Sequence, residues 1–513
     1  MRALLVLFVA LLAAPWAGAQ SSPGPIPPNP ALADSPWPIF HRTPYAQAST
    51  PLRGPEPGES VAVQYLRTPN ARVSPWSLLS EAYPDGTRSV WGATSTHVFK
   101  ALLDGPTFEM VDDVRIDRTP LEVHWNAILL RGNRLLVPDR DQRRLLLYQD
   151  ERPADPRSPI RLAREVPVPA SVPGKPSGLT VAFDGHVVFQ TDAGYIVALS
   201  PDFERFAAAD LREFGFSEDD FAVHNAYSQD GLGGFYIVSA QAMTKLVWDG
   251  SRFSLGWRAP YDFRGPGCEG GSPGGVREVL RTFRGQPCTG SGTTPTLVGT
   301  DGDWLVVVVD GHQPQNHLVA FWRDAVPADW AGLPGQDRRV AAVTALPFAT
   351  PDGEGFTTEN SPTAWGYDIA VAQWGGLTPD CSPPSGVQKL RWSPDSRTLD
   401  VVWANGGLHV NSVMTYSDGS GLLYGSGRDP ATCGYTFYGV DWATGEVRLR
   451  VPMGQGGRFL DQGNQNTLSD DRSVVVGTED GIVRLYPGGA AAPARDPSRR
   501  DRPRRPRGRR RGL

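Results

Sequence analysis

Short apolar runs alternate with Gly/Asp breaks along this chain, and the alternation keeps a fixed order. Each unit opens on a small polar residue (glycine in one) and an apolar run. A Gly/Asp turn follows, then a β-rich run, a second break, and a third apolar run closing on Asp, Gly or Pro. The last copy shows the order plainly: Asn466-Thr467-Leu468-Ser469, Asp470-Asp471, Ser473–Gly477, Glu479-Asp480, Gly481–Tyr486. Eight copies open at Ser77, Asn126, Gly178, Asn225, Thr294, Asn360, Asn411 and Asn466, with steps of 49, 52, 47, 69, 66, 51 and 55 residues. The two long steps contain the Gly/Pro-rich stretch Gly265–Gly290 and the proline-bearing stretch Ala325–Gly355. Insertions in surface loops cost little, so they leave the repeat intact. A period of roughly 40–55 residues made of short strands predicts an all-β fold, a single eight-bladed β-propeller with four-stranded blades. A β-sandwich has no reason to restart in register eight times.

The eighth unit stops at Tyr486-Pro487-Gly488 and lacks the fourth run that other units supply, such as Glu446–Val451. An orphan strand-like run, Val61–Leu66, precedes unit one. It is expected to lie beside Gly481–Tyr486 as the outer strand of the last blade, removing the free seam of the ring. Domain bounds follow: a signal peptide over residues 1–19, a Pro-rich extended lead-in over 20–59, the propeller over 60–489, and an Arg-rich segment, expected to be disordered, over 490–513.

Composition adds a compartment. Arg2, the apolar run Ala3–Ala14 and the small residues Ala17-Gly18-Ala19 read as a secretory signal, so a secreted or periplasmic protein is expected. No segment approaches membrane-spanning length. Four cysteines in an exported chain read as two disulfides. Cys381 and Cys433 fall 21 and 22 residues after their unit openings, in the same loop of neighbouring units, while Cys268 and Cys288 share one insertion. The expected pairs are therefore Cys268–Cys288 and Cys381–Cys433.

The net charge of −5 hides a split. Residues 490–513 carry ten arginines and two aspartates, and the body left without them and Arg2 is near −14. Such a basic segment cannot bury a core, and it suits a polyanion or the chain's own acidic body. With an export signal, a nucleic-acid role is not expected. The protein is expected to be a monomer.

The wording of the repeat is familiar at its ends. Ser473-Val474-Val475-Val476-Gly477-Thr478-Glu479-Asp480-Gly481-Ile482-Val483-Arg484-Leu485 resembles the repeat of pyrroloquinoline-quinone-type propellers. Tyr438–Glu446 resembles its closing phrase, and Trp37-Pro38-Ile39-Phe40-His41 the phrase often found before such domains. The resemblance implies a quinoprotein-like superfamily member. That family's dehydrogenases use the quinone with a bound calcium ion, and many carry an adjacent Cys-Cys pair. This chain has no adjacent cysteines, and no Glu/Asn/Asp calcium set can be matched onto it. Pyrroloquinoline quinone is therefore not expected, calcium stays open, and a non-catalytic or differently catalytic member is indicated. Other members are periplasmic assembly scaffolds.

Candidate chemistry gathers where inner strands begin. His124 and Asn126, His224 and Asn225, Thr294, Asn360, and His409 and Asn411 all fall at that register, which would ring the mouth of the central channel. Loops after the second strands reach the same face, and Gly311–Asn316 is longer than a tight turn requires, adding His312 and Asn316. Together these ten residues are the expected site for a small polar ligand or an envelope protein. Carboxylates in the same loops could take calcium or act as acid and base, which keeps a metal-assisted lactonase or hydrolase, or a dehydrogenase, as the alternative. Gly270-Gly271-Ser272-Pro273-Gly274 and Gly265–Gly270 match nucleophile and dinucleotide patterns by chance, with no helix to complete either. Trp248, Trp322, Trp392 and Trp442 recur at the third strand and read as core. Trp91, Trp125 and Trp374 are candidates for sugar stacking.

Overall fold

Eight antiparallel four-stranded meanders make up the chain in a computed structural model that describes residues 26–69, 74–116, 126–218, 221, 226–261, 291–300, 302–312, 315–348, 360–373, 386–461 and 463–488. No α-helix occurs among the described residues, and no helix there is long and apolar enough to cross a membrane. The inner strands are Trp76–Leu79, Ile128–Leu130, Pro176–Val181, Ser228–Gln229, Thr296–Val298, Thr363–Trp365, Thr415–Ser417 and Asn466–Leu468. Strands follow outward in chain order except at the outer edge of blade eight, and the sheet of blade seven also takes in the short strands Ser49–Thr50 and His409–Val410. The fold is the expected eight-bladed β-propeller.

Closure occurs where the repeat lacked a strand. Val61–Arg67 pairs antiparallel with Gly481–Pro487, running from Val61 opposite Pro487 to Arg67 opposite Gly481. One blade is thus built from both sides of the chain, and the ring has no unpaired seam. Bulges interrupt the outermost pairing in six of the eight blades, between Lys100 and Ala101 and between Lys245 and Leu246 among others. They twist exposed edges away from further strand addition.

Blades pack face to face through the large side chains that the repeat places on third strands. Trp322 of blade five and Trp392 of blade six meet at 5.5 Å, and within blade seven Tyr416 stacks on Trp442 at 4.1 Å. Trp91 also belongs to this core, being fully buried, which removes it as a sugar-stacking residue. Trp125 and Trp374 lie outside the described residues. Buried cations reinforce the seams: Lys100 reaches Asp150 of the next blade at 2.5 Å, and Tyr83 donates to the same carboxylate.

The lead-in does not stay outside. It enters the ring and touches all eight blades. Asn29 bonds Val181 of blade three, Pro38 accepts from Leu129 of blade two, and Trp37 from Leu79 of blade one. His41 N–H donates to Gln465 beside blade eight at 2.7 Å. The chain then crosses to blade four, and the carbonyls of Pro44, Tyr45, Gln47 and Ala48 accept from Gln229, Leu297, Ala364 and Tyr416 in turn. Four non-glycine residues there, His41, Arg42, Ala46 and Ala48, hold positive φ between 50° and 75°. Such backbone persists only where surrounding bonds over-determine it, as here. Phe40 stacks on Trp76 at 3.5 Å within this crossing. The lead-in is the floor of the channel.

Candidate functional site

Strand direction defines the two ends of the ring. First-to-second and third-to-fourth turns share one end with the floor, whereas the heads of the inner strands share the other, the mouth. Asn126, Thr294, Asn360, His409 and Asn411 all sit at or just before those heads, buried. Neighbouring heads are bonded into a rim: Thr294 N–H donates to the Ser361 hydroxyl at 2.8 Å, and Asn466 donates to the Ser412 hydroxyl at 2.9 Å. His124, His224 and Asn225 lie outside the described residues.

Below the rim runs a belt of threonine hydroxyls. Thr296 bonds Pro362 O, Thr363 bonds Met414 O, Thr415 bonds Asn466 O and Thr467 bonds Ser77 O, at 3.2, 2.6, 2.6 and 2.8 Å. Each hydroxyl ties one inner strand to the next from blade five round to blade one. Blade three differs at its head. Gly178, at φ 60°, gives up the side-chain position, and a Cβ there would stand 2.4 Å from the Tyr227 hydroxyl.

Above the belt the accounting changes. Asn126 Oδ1, Thr294 Oγ1, Asn360 Oδ1, Asn411 Oδ1 and both ring nitrogens of His409 have no hydrogen-bond partner among the described residues. Buried polar atoms normally find partners, and an unpaired one costs about 1–3 kcal/mol. Asn466 Oδ1 is likewise unpartnered, but its amide donates to Ser412, Val413 and Tyr424 and so fastens the rim.

The electrostatics of this end come from burial. Asp461, fully enclosed, is pushed up to about 8, with the Ser426 hydroxyl and the Asn464 N–H only partly offsetting the desolvation. His409 is held below its ordinary value by burial and then by Arg428. No group of three or more His, Cys, Asp or Glu stands ready to hold a metal ion among the described residues.

His312 and Asn316 belong to a second feature, in the loop after the second strand of blade five. Asn316 is buried and staples the loop, its amide bonding Asp310 O and His312 O at 3.0 and 3.1 Å. Asp310 accepts from His317 N–H at 2.7 Å and pairs with His317 Nδ1 at 2.9 Å. Asp310, His312 and His317 line a cavity of about 260 Å³ with Tyr261 and Gln336. The sequence marked His312 but passed over His317, which the pattern Asp310-Gly311-His312 with a further histidine seven residues after the aspartate could have suggested. Asp461 and Ser426 were missed because only the meeting of blades seven and eight buries them. Cys268, Cys288 and Cys381 lie outside the described residues, so the two cysteine pairs are not assigned by the structure.

Fold and channel together define an eight-bladed β-propeller. A europium-containing methanol dehydrogenase is similar in structure, with a TM-score of 0.51 at 12% identity over 88% of this chain and 90% of its own. A quinohemoprotein alcohol dehydrogenase from Comamonas testosteroni gives 0.53 at 12% identity, covering 90% and 82%. At such identities the likeness is one of fold. In sequence, an uncharacterized protein of Archaeoglobus fulgidus is 29% identical over 455 residues, 83% of this chain and 84% of its own. No family model matches the chain.

Proposed function

We propose that this is an exported propeller that binds a small polar ligand in the mouth of its channel, as a binding or scaffold protein of the cell envelope. The observation that carries the reading is the set of unpartnered buried acceptors at the heads of the inner strands, from Asn126, Thr294, Asn360 and Asn411. Acceptors held without partners are matched by a ligand rich in donors, such as hydroxyl, amide or ammonium groups. The floor supports this too, because the lead-in closes the opposite end of the channel. The donor set does not suit a quinone with its calcium ion. The cysteines include no adjacent pair, and no three His, Cys, Asp or Glu side chains gather to hold an ion among the described residues.

Native mass spectrometry of the purified full chain tests the reading. A retained small-molecule adduct is expected, lost in Asn360→Ala and Asn411→Ala, with folding stability changed by under about 2 kcal/mol. If both variants keep the adduct, the mouth is structural.

The catalytic alternative has one observation of its own, the Asp310–His317 pair facing a cavity beside His312. A carboxylate behind an imidazole fixes its tautomer and raises its basicity, as a general base requires. An activity that falls at least about a hundredfold in His317→Gln without unfolding would establish it. The disulfide pairs Cys268–Cys288 and Cys381–Cys433 remain part of the proposal and are checked by non-reducing peptide mapping.

A further inference from the structure

The chain leaves the ring on the floor side. Gly481–Pro487 runs from mouth to turn face, and Gly488 N–H donates to Ser60 O where Val61 begins its strand opposite Pro487. Residues 490–513, with ten arginines and two aspartates, therefore start from the turn face beside blades seven, eight and one.

That face is acidic. Asp85 and Asp104 on blade one, Glu151 on blade two, Asp395 on blade six and Asp418 on blade seven are exposed at its turns. None has an ion-pair partner among the described residues, whereas arginines of the same turns are committed, Arg152 to Asp155, Arg252 to Asp249 and Arg397 to Asp329. A 24-residue peptide spans at most about 80 Å, so reach sets no limit on which of these turns it meets. Exposed pairs are individually weak and screened by salt. Ten arginines tethered beside several carboxylates act at high effective concentration instead.

We propose that the Arg-rich segment 490–513 docks on the acidic turn face of its own ring. Docked, it lowers the self-repulsion of a body near −14 and leaves the mouth uncovered. The docking is independent of what the mouth binds.

Limited trypsinolysis of the full chain, followed by mass spectrometry of cleavage within residues 490–513, tests this against a synthetic 490–513 peptide under the same conditions. At 20 mM NaCl, cleavage in the full chain is expected to be about tenfold slower than in the peptide, and the two rates should converge at 500 mM. Asp104→Asn, Glu151→Gln and Asp395→Asn combined should restore peptide-like cleavage at low salt. None of these three side chains makes a hydrogen bond or ion pair among the described residues, so the triple variant should keep the melting temperature of the ring. Equal cleavage of chain and peptide at both salts overturns the proposal, as does full protection persisting in the triple variant.

Discussion

At the closed end of the channel, the lead-in answers the inner strands with main chain. Carbonyls from Trp37 to Thr50 accept N–H groups from six blades, and side-chain bonds at Asn29 and Gln465 reach the other two. At the mouth, the same strands present Asn126, Thr294, Asn360 and Asn411 with oxygens that nothing in the described chain meets. A ring of short strands cannot fill its own axis. One end is filled by a covalently attached segment, and the other is left polar. Main-chain bonds at the floor fix the ring, while unpartnered side-chain atoms occur at both ends, at His41 and Gln47 in the floor as at Asn126, Asn360 and Asn411 at the mouth.

Experiments on each part of the ring test this contrast. Deleting Val61–Arg67 removes the strand that closes blade eight and is expected to abolish cooperative unfolding by circular dichroism. Retention of a sharp transition would mean the ring does not depend on its closure. Trp76→Ala removes the ring on which Phe40 stacks and should cost about 3–5 kcal/mol in denaturant unfolding.

The two ends should also differ in sign with pH. His41, in the floor, is lowered by burial from 6.5 to about 3, so its contribution is complete above pH 6.5 and is lost as pH falls toward 3. Asp461, at the mouth, is raised by burial from 3.8 to about 8. Its contribution is complete below pH 3.8 and is lost as pH rises toward 8. Asp461→Asn should therefore flatten the alkaline side of a melting-temperature profile, and His41→Phe the acid side. If each variant flattens the opposite limb, the assignment of burial fails.

The smallest effect compares belt with rim. Thr415→Val leaves Asn466 O without its hydroxyl and should cost about 1–2 kcal/mol. Asn411→Ala, whose Oδ1 has no partner among the described residues, should cost less than that in chemical denaturation. A larger loss at Asn411 than at Thr415 would place structure, not binding, at the rim.

Much of the architecture was legible because it is local and repeated. Alternating short runs set the strands, and the missing fourth run of unit eight pointed to Val61–Leu66, which pairs there. The positions of Asn126, Thr294, Asn360 and Asn411 at the inner heads followed from the same register. The floor was not legible. Ile26–Glu59 has no strand pattern and many prolines, and its bonds join residues as far apart as His41 and Gln465. Trp91 was misjudged for a related reason: a tryptophan near a loop end in sequence becomes core once a second blade covers it.

The sequence by itself determined the number of blades, the strand that closes them and the register that puts polar residues at one end, because hydrophobic periodicity and turn chemistry act within a few residues. Which polar groups are satisfied follows from the assembled ring. Whether Asp461 carries a charge, whether Asn466 is a rim fastener while Asn411 is not, and whether a proline-rich segment stays outside or plugs the axis all depend on groups brought together from distant parts of the chain. Desolvation and hydrogen bonding are set by those neighbours, and no local pattern encodes them.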